Sequence, residues 1–371
     1  MQDNRRRIII LLFIITLIFS FFTVYVYSQP RPTTSARAAA LYEPETKSFI
    51  YTKNENEQLA MASTTKILTA LLALERLSPD EKISVPPEAC GIEGSSIYLK
   101  PGEVMSAVDL VYSVLLQSAN DAAAALAYKI AGSIDAFAQI MNETVRELGL
   151  TDTHFKNPHG LDDPEHYTTA HDLAIISAYA LENEDFCKIS STYKKKVISS
   201  ESERLLVNHN KLLRSYDGCI GVKTGFTHKS GRCLVSAAER NELRLISVTI
   251  DAPDDWNDHK KMLDLGYSLL EAKVLAEVGE FSYKIPVING KSEYVFVSNQ
   301  ERLKLVFDKT NTDYDTHIKL TRFLTAPINE GDILGRVIFT QNGKEIGAVD
   351  IVAEESIENN EKRGFFSFLK H

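Results

Sequence analysis

The sequence predicts an α+β protein in which an antiparallel sheet with an inserted helical block is followed by a small all-β sandwich. Strand-like segments occur at both ends of residues 38–275, and apolar residues with helical spacing fill the middle of that range. Short β-branched or aromatic segments separated by turns then occupy residues 276–353. A chain of 371 residues is long enough for one large domain and a smaller one.

The predicted sheet takes strands from both ends of the first domain. Residues 38–42 and 48–51 flank a polar turn and are typical of a β-hairpin. After the helical block, strand patterns return at 221–227, 232–238 and 243–250. Strands that are distant in sequence are therefore expected to lie in one sheet, with the helices inserted between them.

The inserted block is predicted from an apolar periodicity close to 3.6 residues. A strongly apolar helix begins near Ser63, and two further helices are separated by the tripeptide 118–120. A turn-rich loop at 157–164 precedes the start of another helix. The predicted helices cover 63–74, 108–116, 121–130, 134–148 and a segment that opens at 168–172.

The second domain is predicted from short strand-like segments between residues 281 and 352, separated by Asn-Gly and Glu-Gly turns. Residues 354–371 form an acidic tail whose last part has four apolar side chains on one face of a helical wheel, flanked by cations. That composition is typical of an interfacial membrane contact, although a disordered tail or one packed on a domain is the alternative. The four residues are Phe365, Phe366, Phe368 and Leu369.

The N-terminus is typical of an export signal. Three arginines precede an uncharged, largely apolar run at 8–27, which is long for a signal peptide and long enough to span a bilayer. Residues 1–28 are therefore predicted to be a signal peptide or signal anchor, and residues 29–37 a linker. Cleavage is plausible after Ser28 or Ala38, and a retained anchor would keep its basic end inside. We expect an exported protein at the cell wall or periplasmic face, associated with the membrane.

Charge and cysteine content exclude several function classes. The chain has 50 Asp and Glu against 41 Lys and Arg, so its field repels polyanions and nucleic acid is not an expected partner. The four cysteines show no metal-ligand spacing, and no metal site is expected. Cys219 and Cys233 flank a predicted hairpin, so the sequence does not decide whether a disulfide joins them. A domain of this size favours free thiols, because it needs no covalent cross-link.

A serine followed three residues later by a lysine occurs at the start of the first helix. This spacing places Ser63 and Lys66 on one helix face, where the helix N-terminus stabilises nearby negative charge. A serine becomes a strong nucleophile when a neighbour accepts its proton, and Lys66 can do so if burial or another cation lowers its pKa. The pair predicts a nucleophile and its base, although a helix cap beside an exposed lysine gives the same pattern.

Two further sequence motifs complete the predicted site. Ser118 and Asn120 lie between two helices, where a hydroxyl can relay a proton and an amide can hold a lysine and a substrate amide. A helix cap is the alternative interpretation of Asn120. Lys223, Thr224 and Gly225 lie on a predicted strand, where the lysine and the hydroxyl can bind a terminal carboxylate and the glycine admits a close ligand. An ordinary strand end is the alternative there.

In this order along the chain, the three motifs at 63–66, 118–120 and 223–225 resemble those of the penicillin-binding proteins and serine β-lactamases. The flanking residues narrow the resemblance to the low-molecular-weight D-alanyl-D-alanine carboxypeptidases. The resemblance covers residues from about 38 to 275, and the trailing β-rich segment is similar to that family's C-terminal domain. The segments that carry it are 61–66, 93–102, 115–123, 157–162 and 221–227.

The resemblance implies a serine-type D-alanyl-D-alanine carboxypeptidase without cofactor or metal. It would form an acyl-enzyme on Ser63, shorten peptidoglycan stem peptides that end in D-Ala-D-Ala, and be acylated by penicillins and other β-lactams. Backbone N–H groups of Ser63 and Phe226 would form the oxyanion hole. The implied catalytic residues are Ser63, Lys66, Ser118 and Asn120, and the implied substrate-binding residues are Lys223, Thr224, Gly225 and Phe226.

Two alternatives stay open. A class A-like β-lactamase shares these signals, but it would carry Asp in place of Ala119 and a loop glutamate for deacylation. A catalytically silent wall-binding or penicillin-sensing module would keep the same residues behind a blocked cleft. Phe226 and His209 stand where some relatives carry a polar residue and an arginine, which leaves substrate preference open. His159 and His171 are expected to be structural rather than catalytic.

Overall fold

The computed structural model describes residues 32–360. They cluster into two units. The first unit extends to Ala238 and includes Leu245–Leu265, and the second comprises Glu239–Arg244 and the residues after Leu265. The predicted domain limits at residues 275 and 353 stay predictions.

The two predicted membrane contacts lie outside the described residues. They are the N-terminal segment at 1–28 and the apolar tail residues Phe365, Phe366, Phe368 and Leu369. Within residues 32–360, no helix combines the length and the apolar character needed to cross a bilayer.

The first unit combines one antiparallel sheet with a block of helices and two small hairpins. Its strands are β1 (Ala38–Glu43), β2 (Ser48–Lys53), β3 (Lys82–Ser84), β4 (Val104–Ser106), β5 (Lys194–Ile198), β6 (Glu203–Val207), β7 (Cys219–Thr227), β8 (Gly231–Arg240) and β9 (Leu243–Ile250). Its helices are α1 (Lys66–Arg76), α2 (Ala107–Leu116), α3 (Asn120–Ala131), α4 (Ile134–Glu147), α5 (Ala170–Glu182), α6 (Glu184–Ser190), α7 (Leu212–Ser215) and α8 (Asp255–Leu269).

The main sheet confirms the predicted assembly from both ends of the first domain. Its strand order is β2-β1-β9-β8-β7, and β1 pairs antiparallel with both β2 and β9. Because β7 forms the edge of this sheet, one side of the strand is free to face a ligand. Helices α1, α2 and α3 contact one another and bury a continuous apolar core that includes Leu68, Leu72, Leu110, Val114 and Leu126.

The helix predicted to begin near Ser63 begins three residues later. Residues Ala62–Thr65 form a 3-10 turn, and α1 starts at Lys66. The hydroxyls of Thr64 and Thr65 donate to the carbonyl oxygens of the residues three positions earlier, at 2.6 and 2.8 Å. Such side-chain bonds compete with helical backbone bonds, so they account for the tighter turn.

None of the four cysteines, which all lie within residues 32–360, forms a disulfide in the structure. In the pairing of β7 with β8, Cys219 lies opposite Ala238 and Cys233 lies opposite Gly225. The two thiols are therefore not cross-strand neighbours. Burial raises the pKa of both Cys219 and Cys233 to about 11, so each stays protonated at neutral pH.

The second unit is all-β, as the sequence predicts. Its strands are β10 (Leu270–Ala276), β11 (Ser282–Ile288), β12 (Tyr294–Asn299), β13 (Leu303–Asp308), β14 (Asp315–Leu320), β15 (Leu324–Thr325), β16 (Ile333–Gln341) and β17 (Lys344–Ala353). A six-stranded sheet has the order β14-β16-β17-β12-β11-β15, and β10 pairs with β13 in a second, two-stranded sheet. Its core includes Val295, Val297, Val337, Phe339 and Ile351.

Candidate active site

Ser63 lies in the 3-10 turn before α1, where two glycines let other segments approach. A Cβ atom at Gly225 on β7 would lie 3.0 Å from the backbone nitrogen of Ser63. A Cβ atom at Gly160 would lie 1.9 Å from the carbonyl oxygen of Ala62, and Gly160 has a positive φ of 86°. The Gly160 position therefore requires glycine, and a side chain at Gly225 would crowd the backbone of Ser63, so the edge strand passes directly beside the predicted nucleophile.

Lys66 is fully buried and lies within hydrogen-bond distance of three oxygens. Its Nζ is 2.9 Å from Ser63 Oγ, 2.7 Å from Asn120 Oδ1 and 2.5 Å from the carbonyl oxygen of His159. Burial lowers the pKa of Lys66 well below its usual value, and the Lys223 cation lowers it further.

These contacts can hold Lys66 both as an ammonium, which donates to all three oxygens, and as a neutral amine. A protonated lysine has three donors and no acceptor, and loss of one proton leaves two N–H groups and a lone pair. The oxygens of Asn120 and His159 can accept only, so they take the two N–H groups. The lone pair then faces the hydroxyl of Ser63, which is the arrangement that proton removal from a serine requires.

Asn120 begins α3 and is fixed by the loop that precedes β4. Its backbone N–H donates to the carbonyl oxygen of Ser95 at 2.7 Å, and its Nδ2 donates to the carbonyl oxygen of Glu93 at 2.5 Å. A Cβ atom at Gly94 would lie 2.8 Å from that Nδ2. The donor to Glu93 fixes the orientation of the amide, so Oδ1 faces Lys66.

Asp121 holds the same loop from the next position in α3. Its buried carboxylate accepts hydrogen bonds from Ser96 Oγ at 2.6 Å and from the backbone N–H of Leu99 at 2.9 Å. Charge-assisted bonds of this kind are stronger than neutral ones. Asp121 is therefore a positioning residue that keeps Ser95 at the cleft.

Ser118 has a backbone conformation that is rare for a residue with a side chain. Its φ is 61°, in the left-handed region that costs about 1 kcal/mol for an L residue. The residue is buried and lines the cleft together with Ser63. Such strain persists only where the surrounding structure imposes it, and it is most frequent at functional sites.

The strand β7 supplies the other wall of the cleft. Lys223 is 1 % exposed, and its Nζ donates to the carbonyl oxygen of Thr224 at 2.8 Å. Burial lowers the pKa of Lys223 to about 7. Thr224, Gly225 and Phe226 line the cleft, and the Phe226 side chain is largely exposed there.

The cleft itself has a volume of about 330 Å³. Five of the eight predicted site residues line it, and Lys66, Asn120 and Lys223 lie buried behind that lining. The five are Ser63, Ser118, Thr224, Gly225 and Phe226. The structure thus brings three strings that are far apart in sequence to one place.

Comparison with known proteins identifies the family of the chain. The family described as D-alanyl-D-alanine carboxypeptidase matches residues 25–254 of the chain. The chain belongs to this family. A second family, described as the C-terminal domain of penicillin-binding protein 5, matches residues 271–359.

Individual relatives cover most of this carboxypeptidase family member. D-alanyl-D-alanine carboxypeptidase DacF of Bacillus subtilis (strain 168) is 34 % identical over 90 % of this chain and 88 % of its own. The DacC carboxypeptidase of Escherichia coli (strain K12) is 32 % identical over 90 % and 86 %. The crystal structure of penicillin-binding protein 5 from Haemophilus influenzae aligns with a TM-score of 0.66 at 27 % identity, covering 90 % of this chain and all of that one.

The sequence motifs of the family do not mark every residue of the cleft. Lys211, Arg232, Asp255 and Trp256 also line it, and sequence analysis missed them. Ser95 lines it as well and lies in segment 93–102, to which the sequence assigned no site role. The single tryptophan of the chain was one available signal, because an isolated aromatic side chain beside charged residues is typical of binding surfaces.

Three histidines lie at or near this cleft. His209 lines it, with Nε2 at 3.2 Å from Gln117 Oε1. Burial lowers the pKa of His159 to about 3, with Lys66 as a further cause, and its contribution is a backbone carbonyl that accepts from Lys66. His166 contacts Thr65 Oγ1 at 2.7 Å and accepts from the backbone N–H of Lys156 at 3.0 Å. Sequence analysis did not identify the carbonyl of His159 or the ring of His166.

Proposed function

We propose that this carboxypeptidase uses Ser63 as its nucleophile and Lys66 as the base that activates it. The observation that carries the proposal is the contact set of Lys66, a buried amine with two fixed hydrogen-bond acceptors and one nearby serine hydroxyl. The substrate is a peptidoglycan stem peptide that ends in D-Ala-D-Ala.

In the proposed first step, Ser63 Oγ attacks the carbonyl carbon between the two terminal D-alanines. Lys66 accepts the hydroxyl proton, the new ester bond forms, and the peptide C–N bond breaks. Ser118 relays a proton to the leaving nitrogen, so that free D-alanine departs as an amine. Water then adds to the ester carbonyl and releases the shortened peptide, and Ser63 regains its proton.

We assign the remaining residues to binding and charge stabilisation. Lys223 and Thr224 bind the terminal carboxylate of the substrate, and Gly225 lets the peptide run beside β7. The backbone N–H groups of Ser63 and Phe226 stabilise the negative oxygen that develops on the attacked carbonyl. Asn120 fixes Lys66 with its oxygen, and its amide keeps a second N–H for the substrate.

We also propose that the enzyme acts outside the cytoplasm, at the membrane. The export signal at 1–28 supports this location, with or without cleavage, and the tail residues Phe365, Phe366, Phe368 and Leu369 supply a second membrane contact. A variant with all four tail residues changed to Ser should shift from the membrane fraction to the soluble fraction if the signal is cleaved. Retention of that variant at the membrane would assign anchoring to the N-terminal segment alone.

The nucleophile assignment is tested by the intact mass of the protein after incubation with benzylpenicillin. The wild-type chain should gain the mass of one penicillin, and Ser63→Ala should gain none, because the ester forms on the Ser63 oxygen. Folding of the variant is checked by circular dichroism. Absence of an adduct on folded wild type, or an adduct on Ser63→Ala, would overturn the assignment.

Release of D-alanine from diacetyl-Lys-D-Ala-D-Ala separates the activity from its two alternatives. A carboxypeptidase releases D-alanine and holds the penicillin adduct for longer than one turnover. A silent penicillin-sensing module forms the adduct without releasing D-alanine. A class A-like β-lactamase loses the adduct quickly and regenerates free enzyme with hydrolysed penicillin.

A further inference from the structure

The lining of the cleft includes four residues outside the three sequence motifs, and three of the four are charged. They are Lys211, Arg232, Asp255 and Trp256, and all four line the same cavity as Ser63. The proposed mechanism uses none of them. Their arrangement indicates which part of a substrate would reach them.

Arg232 presents donors to the cleft from a fixed position. Its Nη2 donates to Asp255 Oδ1 at 2.8 Å, where the Asp255 side chain is 4 % exposed and the Arg232 side chain is 42 % exposed. A guanidinium has five N–H donors. The Nε of Arg232 is a buried donor with no acceptor among residues 32–360. Because Nε is buried, the donors left for a ligand are those at the partly exposed end of the guanidinium that Asp255 anchors.

The indole ring of Trp256 lies close to two cations, Arg232 and Lys211. The guanidinium of Arg232 lies 5.7 Å from the centroid of the indole, and Nζ of Lys211 lies 5.9 Å from it. The backbone N–H of Trp256 donates to Asp255 Oδ1 at 2.8 Å, so one carboxylate oxygen holds both the Trp256 backbone and the arginine. Two cations against one carboxylate leave the group with net positive charge, so it favours an anionic ligand.

The strand β7 shows which side of the substrate reaches this group. Gly225 lies beside Ser63, so Thr224 and Phe226 lie on opposite sides of the reacting carbonyl along the strand. Arg232 on β8 is directly opposite Phe226, and paired residues project from the same sheet face. Because Lys223 and Thr224 take the leaving D-alanine in our mechanism, the peptide that stays on the enzyme runs toward Arg232.

We propose that Arg232 and Lys211, positioned by Asp255 and Trp256, form a subsite for a carboxylate on the stem-peptide side chain that precedes the two D-alanines. This inference rests on the proposed function, because it uses the substrate direction assigned there. The enzyme would then prefer stem peptides whose diamino acid carries a carboxylate, as diaminopimelate does, over peptides whose side chain ends in nitrogen alone.

The fluorescence of Trp256 tests this proposal without turnover, since the chain has one tryptophan. The full-length Ser63→Ala variant is titrated with two peptides that differ only at the end of one side chain. The first is diacetyl-Lys-D-Ala-D-Ala, and the second carries 2-aminopimelate, whose side chain ends in a carboxylate. We expect the carboxylate peptide to bind about ten- to a hundredfold tighter and to change the Trp256 emission.

Substitutions in the Ser63→Ala background locate the effect. Arg232→Gln should reduce the affinity ratio of the two peptides to about one, and Lys211→Gln should reduce it partly. Lys229→Gln removes an exposed cation from the neighbouring β7–β8 turn and should keep the ratio. Equal affinities in the parent, or a ratio that survives Arg232→Gln in a folded variant, would overturn the subsite.

Activity of the chain with Ser63 intact keeps the two proposals separate. Release of D-alanine from both peptides at equal kcat/KM would overturn the subsite and leave the carboxypeptidase mechanism standing. Failure to release D-alanine from either peptide, with the affinity ratio preserved, would overturn the mechanism and leave the carboxylate subsite. An equal loss of kcat/KM on both peptides in Arg232→Gln would assign this arginine to the terminal carboxylate instead.

Discussion

The two ends of the cleft differ in how much water reaches their charges. At the catalytic end, Lys66 and Lys223 are 0 % and 1 % exposed, and burial lowers the pKa of both. At the other end, the Arg232 side chain is 42 % exposed. A buried lysine changes protonation readily, whereas a guanidinium stays charged. The difference supports our proposal that Lys66 at the buried end moves a proton, whereas Arg232 at the exposed end keeps its charge and recognises an anion.

The largest effect should follow from giving the buried end a charge that cannot be neutralised. Lys66→Arg places a permanent cation beside Ser63, so we expect acylation by benzylpenicillin to slow by about a thousandfold. Lys66→Met, which lacks an amine but has similar length, should slow it as much. The rate is measured by time-resolved intact mass.

Lys229→Arg is the matched control, because this exposed lysine lies in the β7–β8 turn outside the cleft lining. It should acylate at the wild-type rate. Acylation of folded Lys66→Arg within threefold of wild type would show that another group accepts the serine proton, and the distinction between the two ends would fail.

A smaller effect is expected when the buried amine keeps its place but gains a negative neighbour. In the wild type, Lys66 Nζ lies 2.7 Å from the amide oxygen of Asn120. Asn120→Asp replaces that amide by a carboxylate, and an opposite charge nearby raises the pKa of a lysine. Acylation at pH 7 should fall about ten- to a hundredfold, and its pH profile should move to higher pH. Stopped-flow acylation between pH 6 and pH 10 measures both.

Asn142→Asp supplies the control for the loss of an amide. Asn142 bonds to both the N–H and the carbonyl of Phe155, at 2.8 and 2.9 Å, away from the cleft lining. Its substitution should lower stability without moving the pH profile of acylation. A profile that stays in place in Asn120→Asp would contradict the assignment of Lys66 as the titrating base.

The two ends of the cleft also differ in how well the sequence predicts them, because their residues are separated by different lengths of chain. Ser63 and Lys66 are three residues apart, so local helical geometry is enough to place them together. Arg232 and Asp255 are 23 residues apart, on β8 and at the start of α8, and their contact depends on how that helix packs. Helix α8 carries several polar residues, and its weak apolar pattern gave no prediction. The hairpin β3–β4 was missed because each of its strands has three residues, and the hairpin β5–β6 was missed because charged residues occupy much of its strands.

The smallest effect concerns stability rather than rate. Burial lowers the pKa of Lys223 from 10.5 to about 7, so between these values the unfolded chain binds a proton that the folded chain does not. Stability therefore rises with pH across this window, by at most about 1.4 kcal/mol per pH unit for one group. Lys223→Met removes this contribution. Urea unfolding at pH 7.5 and at pH 9.5 should show a smaller rise for Lys223→Met than for wild type.

Arg232→Met is the companion measurement at the exposed end of the cleft. A guanidinium stays protonated in both the folded and the unfolded chain over this pH range, so its removal should leave the rise of stability with pH unchanged. The difference between wild type and Lys223→Met cancels the titrating groups that Lys223 does not influence, but it keeps the change at Lys66 and His209, whose pKa values the Lys223 cation lowers. An equal pH dependence in wild type and Lys223→Met would mean that Lys223 keeps an ordinary pKa in the fold. Water would then reach the strand β7 as freely as it reaches Arg232, and the catalytic end would not differ from the recognition end in burial of charge.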